Sequence, residues 1–262
     1  MKKNSMYVLM LVSTFFLGSC AEKAEKIHQW RGENRQGIYE ESNLMKSWPE
    51  GGPELLWEYD SLGNGYGSPI FADDRFFIMG ETDSIGYLYS FDLQGKLLWK
   101  KPYGPEWMVN YVGSHSSPTV VDNLVYLSSG LGDLYCMSAV DGEKVWTVNL
   151  KSGFHGRLTR FGHSESPLVY KELVYFTPGG ADTNVVALNR FNGQIQWISK
   201  GMGQIPGYNS PNLIELPERA VLLTFSAYAF MGLDALTGHL LWAHEQTNTP
   251  LADRQPGIGD TH

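Results

Sequence analysis

Cysteine is scarce in this 262-residue chain. Two are present, Cys20 and Cys136, too few for a disulfide framework, so stability must come from the core. Long hydrophobic runs are scarce as well. The first apolar run, residues 6–17, is short of the roughly 20 residues a membrane-spanning helix needs. No stretch beyond residue 20 sustains helical periodicity, which argues against bundles and helical repeats. Positive charge is outweighed, 20 Lys and Arg against 28 Asp and Glu, for a net charge of −8, which disfavours a general nucleic-acid binder. Catalytic signatures are missing too. There is no Gly-x-Ser-x-Gly elbow, no His-Glu-x-x-His and no haem c attachment motif. No two of the seven histidines are spaced as a ligand pair, and no acidic cluster has calcium spacing. No catalytic residue and no metal ligand are assigned. What is abundant is glycine, at 29, with 8 Trp, 14 Tyr and 12 Phe, a composition suited to strands and tight turns.

The chain opens as a separate unit. Lys2 and Lys3 precede the apolar run, and residues 1–19 read as a secretory signal peptide. Leu17-Gly18-Ser19-Cys20 resembles the lipobox of bacterial lipoproteins, which implies lipid attachment at Cys20. Each buried acyl methylene contributes about 0.8 kcal/mol to membrane binding. Residues 20–53 then form a polar tether, AEKAEK, and a lead-in. Cys136, in the apolar run LYCM, is expected to be buried and inert.

The remainder repeats itself. A Gly-x-x-x-Trp phrase occurs at Gly95/Trp99, Gly142/Trp146, Gly193/Trp197 and Gly238/Trp242, with tryptophans 47, 51 and 45 residues apart. Ser-Pro runs in step at Ser68-Pro69, Ser117-Pro118, Ser166-Pro167 and Ser210-Pro211, spaced 49, 49 and 44. Two landmarks with one period mark a repeat architecture. Each period reads as four short strands. In the second unit they are SSPTVVD, LVYLSSG, DLYCMSA and KVWTVNL, bounded by Asp, Asn and Gly turn signals. Proline heads each first strand, where a missing N–H is tolerated.

Four strands per period is the layout of a β-propeller blade. The expected fold is therefore all-β, with antiparallel four-stranded blades near 65–100, 114–150, 163–199 and 208–243 within a propeller region of 54–262. The glycine makes the turn between third and fourth strands. The tryptophan packs between blades, a structural role that extends to Trp57 in ELLWEY. That segment reads as an orphan fourth strand. With GIGDTH at 257–262 resembling the approach to a further first strand, the propeller is expected to be partial and the sequence truncated.

The phrase Ala187-x-Asn189-x-x-x-Gly193-x-x-x-Trp197 resembles the tryptophan-docking motif of quinoprotein-type propellers. Asp234, Gly238 and Trp242 match it, with Gly232 in the alanine place. In the second unit Ser138 replaces the acid or amide, and the first unit is one residue short. The chain resembles the PQQ-binding-like propeller repeat proteins, a superfamily that includes a barrel-assembly lipoprotein of the outer membrane and PQQ- and calcium-dependent alcohol dehydrogenases. The enzymes carry adjacent cysteines above the quinone, and this sequence has none. The reading is therefore a non-catalytic scaffold that binds an envelope protein or peptide, held on the membrane, the outer one expected, by its lipid. No cofactor is expected. PQQ with calcium enters only under the alternative of an alcohol oxidoreductase. A polysaccharide-binding role is a further alternative.

Candidate binding residues lie in loops leading into first strands. FHGRLTRFGHSESP supplies His155, Arg157, Arg160, His163 and Glu165, and His115 precedes the second blade. A cationic rim on an acidic protein suits an anionic group of a partner. Tyr66, Trp107, Tyr111, Phe161 and Tyr208 are candidate aromatic anchors in the same segments.

Overall fold

A computed structural model describes residues 26–246 of the chain. The expected signal peptide, Cys20 and the closing GIGDTH lie outside those residues. The first element is a short strand, β1 (Ile27–His28). Four antiparallel sheets follow. The first holds β2 (Ile70–Ala72), β3 (Arg75–Thr82), β4 (Ile85–Asp92) and β5 (Leu97–Pro105). The second holds β6 (Thr119–Val121), β7 (Leu124–Ser128), β8 (Leu134–Ser138) and β9 (Lys144–Val148). A five-residue helix, α1 (Leu150–Phe154), separates it from β10 (Leu168–Tyr170), β11 (Leu173–Phe176), β12 (Val185–Asn189) and β13 (Ile195–Ser199). The fourth holds β14 (Asn212–Leu216), β15 (Arg219–Ser226), β16 (Ala229–Asp234) and β17 (Leu240–Glu245). Strand order within each sheet follows the chain. The described residues form four propeller blades, with the first strands β2, β6 and β10 meeting at a hub.

Each blade closes on the same turn. A glycine with positive φ, 72° at Gly193, ends it, a conformation that a side chain would strain. The polar residue of the phrase folds back onto the turn. Asn189 Oδ1 accepts from the N–H groups of Phe191 and Asn192 at 3.0 and 3.2 Å, and Asp234 Oδ1 from Leu236 and Thr237 at 3.1 and 3.0 Å. Ser138 Oγ does the same for Val140 at 3.2 Å, so a hydroxyl substitutes for acid or amide. Gly142, Gly193 and Gly238 donate to the residue four back, whereas Gly95 donates to Asp92, three back. The missing residue of the first unit is thus absorbed by a tighter turn. A register shift in every third strand then places a small residue opposite each tryptophan: Ser90 on Trp99, Cys136 on Trp146, Ala187 on Trp197, Gly232 on Trp242.

The tryptophan reaches the next blade. A methyl group added at Gly193 would lie 2.9 Å from Trp146, and at Gly142 2.7 Å from Trp99; Gly95 and Gly238 are covered in the same way by Trp57 and Trp197. The indole N–H groups of Trp99, Trp146 and Trp197 donate to the carbonyls of Val140, Arg190 and Ala235 at 3.0, 2.9 and 3.1 Å. Only a bare backbone lets a ring lie this close, so glycine and tryptophan are two halves of one joint.

The core lies between blades rather than at one centre. Ile70, Phe77 and Leu88 meet Val125, Leu127 and Met137. Tyr126 and Cys136 meet Val174, Phe176 and Val186. Tyr175 and Ala187 meet Leu222, Met231 and Leu233. The free face of the first blade, Phe76, Tyr89 and Phe91, is covered by Tyr59 and Leu62, with Trp57 stacked on Phe76 at 5.7 Å. Residues 54–59 form no strand: the segment caps a blade face through side chains without entering a ladder.

The lead-in builds the hub. β1 pairs antiparallel with β6, Ile27 opposite Val121 and His28 opposite Val120, making the second sheet five-stranded. Asp73, Asp122 and Lys171, in the turns after first strands, share a left-handed backbone with φ of 54°. These turns define one face of the propeller. The segments between blades define the other.

Candidate functional site

The inter-blade face is organised by the Ser-Pro pairs. The Ser68 N–H donates to Ser117 Oγ at 2.8 Å, the Ser117 N–H to Ser166 Oγ at 2.9 Å and the Ser166 N–H to Ser210 Oγ at 2.9 Å. Each serine hydroxyl satisfies the backbone of the blade before it, so the repeat is a relay around the hub. Proline follows, where no donor is needed.

On this frame the inter-blade segments bring four aromatic rings into a chain. Tyr66 meets Tyr111 at 6.3 Å, Tyr111 meets Phe161 at 5.7 Å, and Phe161 meets Tyr208 at 5.9 Å. His115 joins it, 5.5 Å from Tyr66, with Nε2 2.5 Å from the Tyr111 carbonyl oxygen. Tyr66 and Tyr111 stay 61% and 63% exposed. Tyr66, His115 and Tyr208, with Trp30, Arg31 and Phe225, border a cavity of about 570 Å³. Trp107 does not belong to this arc. It is buried, its indole N–H donates to the Asn110 carbonyl at 2.8 Å, and it props up its own loop.

The cationic segment divides. Arg160 lies at the arc, its guanidinium 5.4 Å above the Phe161 ring. Arg157 and His155 are exposed, and Arg157 donates to the Gly179 and Gly203 carbonyls at 2.9 Å each. His163 and Glu165 are each 2% exposed and are not rim groups. They grip one residue beyond β11: His163 Nε2 lies 3.2 Å from the Thr177 carbonyl oxygen, and Glu165 accepts from the Thr177 N–H at 3.0 Å. His163 also stacks on Phe176 at 4.8 Å. Burial pushes His163 down to about 4, so its imidazole is neutral. Burial pushes Glu165 up to about 8, opposed by its bonds to Thr177 and by Arg35.

Two polar groups escape sequence reasoning. Arg35 is buried at the hub, where its guanidinium donates to the carbonyls of Ser166 at 3.1 Å, Pro211 at 3.0 Å and Pro167, and to Gln29 Oε1 at 2.8 Å. Burial lowers it to about 9 while Glu165 opposes the shift. Glu106 is buried between the first two blades. It accepts from the Gly130 N–H at 2.7 Å, the Tyr103 hydroxyl at 3.1 Å and the Trp107 N–H at 3.2 Å, and burial raises it to about 8. Neither belongs to a motif. Arg35 sits in a polar lead-in, GENRQG, where an arginine ordinarily reads as solvated.

Among the described residues, no group of three or more His, Cys, Asp or Glu is placed to hold a metal ion.

Residues 84–261 match the family model described as outer membrane protein assembly factor BamB. The chain belongs to that family. An outer membrane protein assembly factor BamB of Shewanella oneidensis is 24% identical over 183 residues, 68% of this chain and 42% of that protein. A quinoprotein ethanol dehydrogenase of Pseudomonas aeruginosa is 27% identical over 110 residues, 42% of this chain and 17% of that enzyme. The crystal structure of BamB from Moraxella catarrhalis aligns with a TM-score of 0.51 at 15% identity, covering 72% of this chain and 51% of that one. That likeness shows the shared fold. The chain spans about half or less of the length of these relatives. Family and structure agree on a PQQ-like β-propeller.

Proposed function

We propose that this chain is the propeller portion of an envelope scaffold lipoprotein, anchored through Cys20 to the outer membrane, which binds another envelope protein and performs no chemistry itself. The arc Tyr66, Tyr111, Phe161 and Tyr208 carries the reading. It joins the segments that lead into all four blades in one ridge, exposed at Tyr66 and Tyr111 and half-buried at Phe161 and Tyr208. Tyrosine is over-represented among residues that dominate protein interfaces. The Ser-Pro relay beneath it fixes the segments in advance, which lowers the ordering cost of binding. Family membership supports the role, since the matching family is described as an outer membrane protein assembly factor.

The geometry favours a protein over a polysaccharide. Tyr66 meets Tyr111 at an interplanar angle of 79°, and Tyr111 meets Phe161 at 65°. Ring edges cover neighbouring ring faces, which gives a corrugated ridge suited to side chains, where sugar stacking needs open faces.

A photo-crosslinking residue at Val109, 74% exposed beside Tyr111, tests the reading in intact cells. It is expected to trap a discrete envelope protein, whereas the same group at Asn123, on the turn face, gives no matching adduct. Equal adducts from both positions, or none from Val109, would refute it.

A further inference from the structure

We infer that the propeller stands with its turn face toward the membrane and its aromatic arc pointing away from it. The inference rests on anchoring at Cys20, as proposed above, and adds an orientation that anchoring alone does not give. The described chain enters at the turn face. Lys26 Nζ pairs with Asp73 at 3.5 Å, and Asp73 occupies the turn between β2 and β3. Ile27 lies level with Val121 and His28 with Val120, so β1 climbs the hub from the Asp122 turn toward Ser117. It delivers Trp30 and Arg31 to the cavity bordered by Tyr66, His115 and Tyr208. Arg35 then fastens the segment to the Ser166, Pro167 and Pro211 carbonyls. Entry side and direction of travel are therefore fixed by pairing and by a buried cation.

Reach decides which face meets the bilayer. Six residue steps separate Cys20 from Lys26. Fully extended, they span at most about 22 Å. Bringing the arc to the membrane would require the tether to climb the height of a blade. The seven steps along β3 measure that height as about 23 Å, and passing around a blade adds three strand spacings, about 14 Å. A tether of about 22 Å cannot make that path. It easily allows the turn face to rest at the lipid surface. The consequence for the proposed role is that a partner is met on the side facing away from the bilayer that holds the anchor.

The test uses the full lipidated chain in vesicles of phosphatidylethanolamine and phosphatidylglycerol containing an acceptor-labelled lipid. Donor dye is placed at N123C or at V109C. Cys136 is fully buried, and the Cys20 sulfur carries acyl chains, so labelling is confined to the introduced thiol. Energy transfer is expected to be at least about twofold stronger from position 123, given a face separation of about 23 Å. Inserting about twenty Gly-Ser residues between Ala24 and Glu25, a flexible spacer, is expected to shrink that difference. Equal or reversed transfer in protein whose Cys20 acylation is confirmed by mass spectrometry would overturn the orientation while leaving the anchor standing. Absence of acyl chains on Cys20 would overturn the anchor and the orientation with it.

Discussion

Trp197 and Trp242 hold the same place in the same phrase and differ in what lies over them. Trp197 is 9% exposed against the Gly238 turn, whereas Trp242 is 41% exposed, with no following blade among the described residues. Trp197→Ala is expected to cost about 3–5 kcal/mol in urea unfolding, as a large core truncation does. Trp242→Ala should cost well under half of that, and equal costs would contradict the joint. Gly193→Ala, which combines a left-handed backbone with a methyl 2.9 Å from Trp146, should lose about 2 kcal/mol or more in the same assay. These joints were legible in sequence because glycine, tryptophan and the turn acid recur in phase. The burial of Cys136 was legible too, but not its reason: it is the small residue opposite Trp146, a consequence of a bulge that no local pattern announces. The fates of His163 and Glu165 were illegible, since a polar loop sequence does not reveal that both point inward at Thr177. Their burial and that of Glu106 set a pH dependence. Folding raises Glu106 and Glu165 from 4.5 to about 8, so the native state holds more protons than the unfolded chain and stability falls as pH rises through that window. His163, lowered from 6.5 to about 4, acts with opposite sign, losing stability as pH falls below 6.5. Between pH 6.5 and 8 the carboxyl groups alone decide, and the melting temperature should drop with rising pH. In Glu106→Gln the slope should be roughly halved, because Glu165 remains; an unchanged slope would exclude Glu106 as a source.

At the scale of elements, strand content followed from local chemistry. Alternating apolar runs closed by Asp, Asn or Gly need no distant partner to be recognised, and the four-strand period recovers each sheet. The lead-in is different. Arg35 bonds to residues 131 to 176 positions away, and β1 joins a strand some ninety residues on. Neither contact leaves a periodic trace. ELLWEY misled for a related reason. It has the letters of a fourth strand, but its tryptophan and tyrosine cap a blade face without backbone pairing. Arg35→Ala would leave the Ser166 and Pro211 carbonyls and Gln29 Oε1 without this donor, while the Thr119 hydroxyl still donates to the Pro167 carbonyl at 2.6 Å. It is expected to lower stability by about 3 kcal/mol or more, by the cost of unpairing buried charged hydrogen bonds. Arg35→Lys should recover only part of this, since an ammonium cannot reproduce the planar fork. Full recovery by lysine would show that charge alone holds the lead-in.

At the scale of the molecule, the propeller sorts its surfaces by role. Blade faces are consumed by blade packing, except the outer face of the fourth blade at Trp242; the hub is consumed by the lead-in and the turn face by the entry of the chain. On the inter-blade face the aromatic arc stands on a frame of serine-to-backbone hydrogen bonds, open to solvent at Tyr66 and Tyr111. The anchors Tyr66, Tyr111, Phe161 and Tyr208 could be placed between blades from sequence. Their junction into one ridge depends on how each blade packs on the next. The measurement that tests this account most directly combines Tyr111→Ala and Phe161→Ala in one chain and reads crosslinking from Val109 beside the melting temperature. Both rings lie on the rim outside the inter-blade core clusters, so the fold should hold. The account predicts a melting temperature within a few degrees of the parent and a loss of crosslinked partner of about tenfold or more, the scale of a truncated interface hot spot. Undiminished crosslinking in a stably folded variant would contradict it.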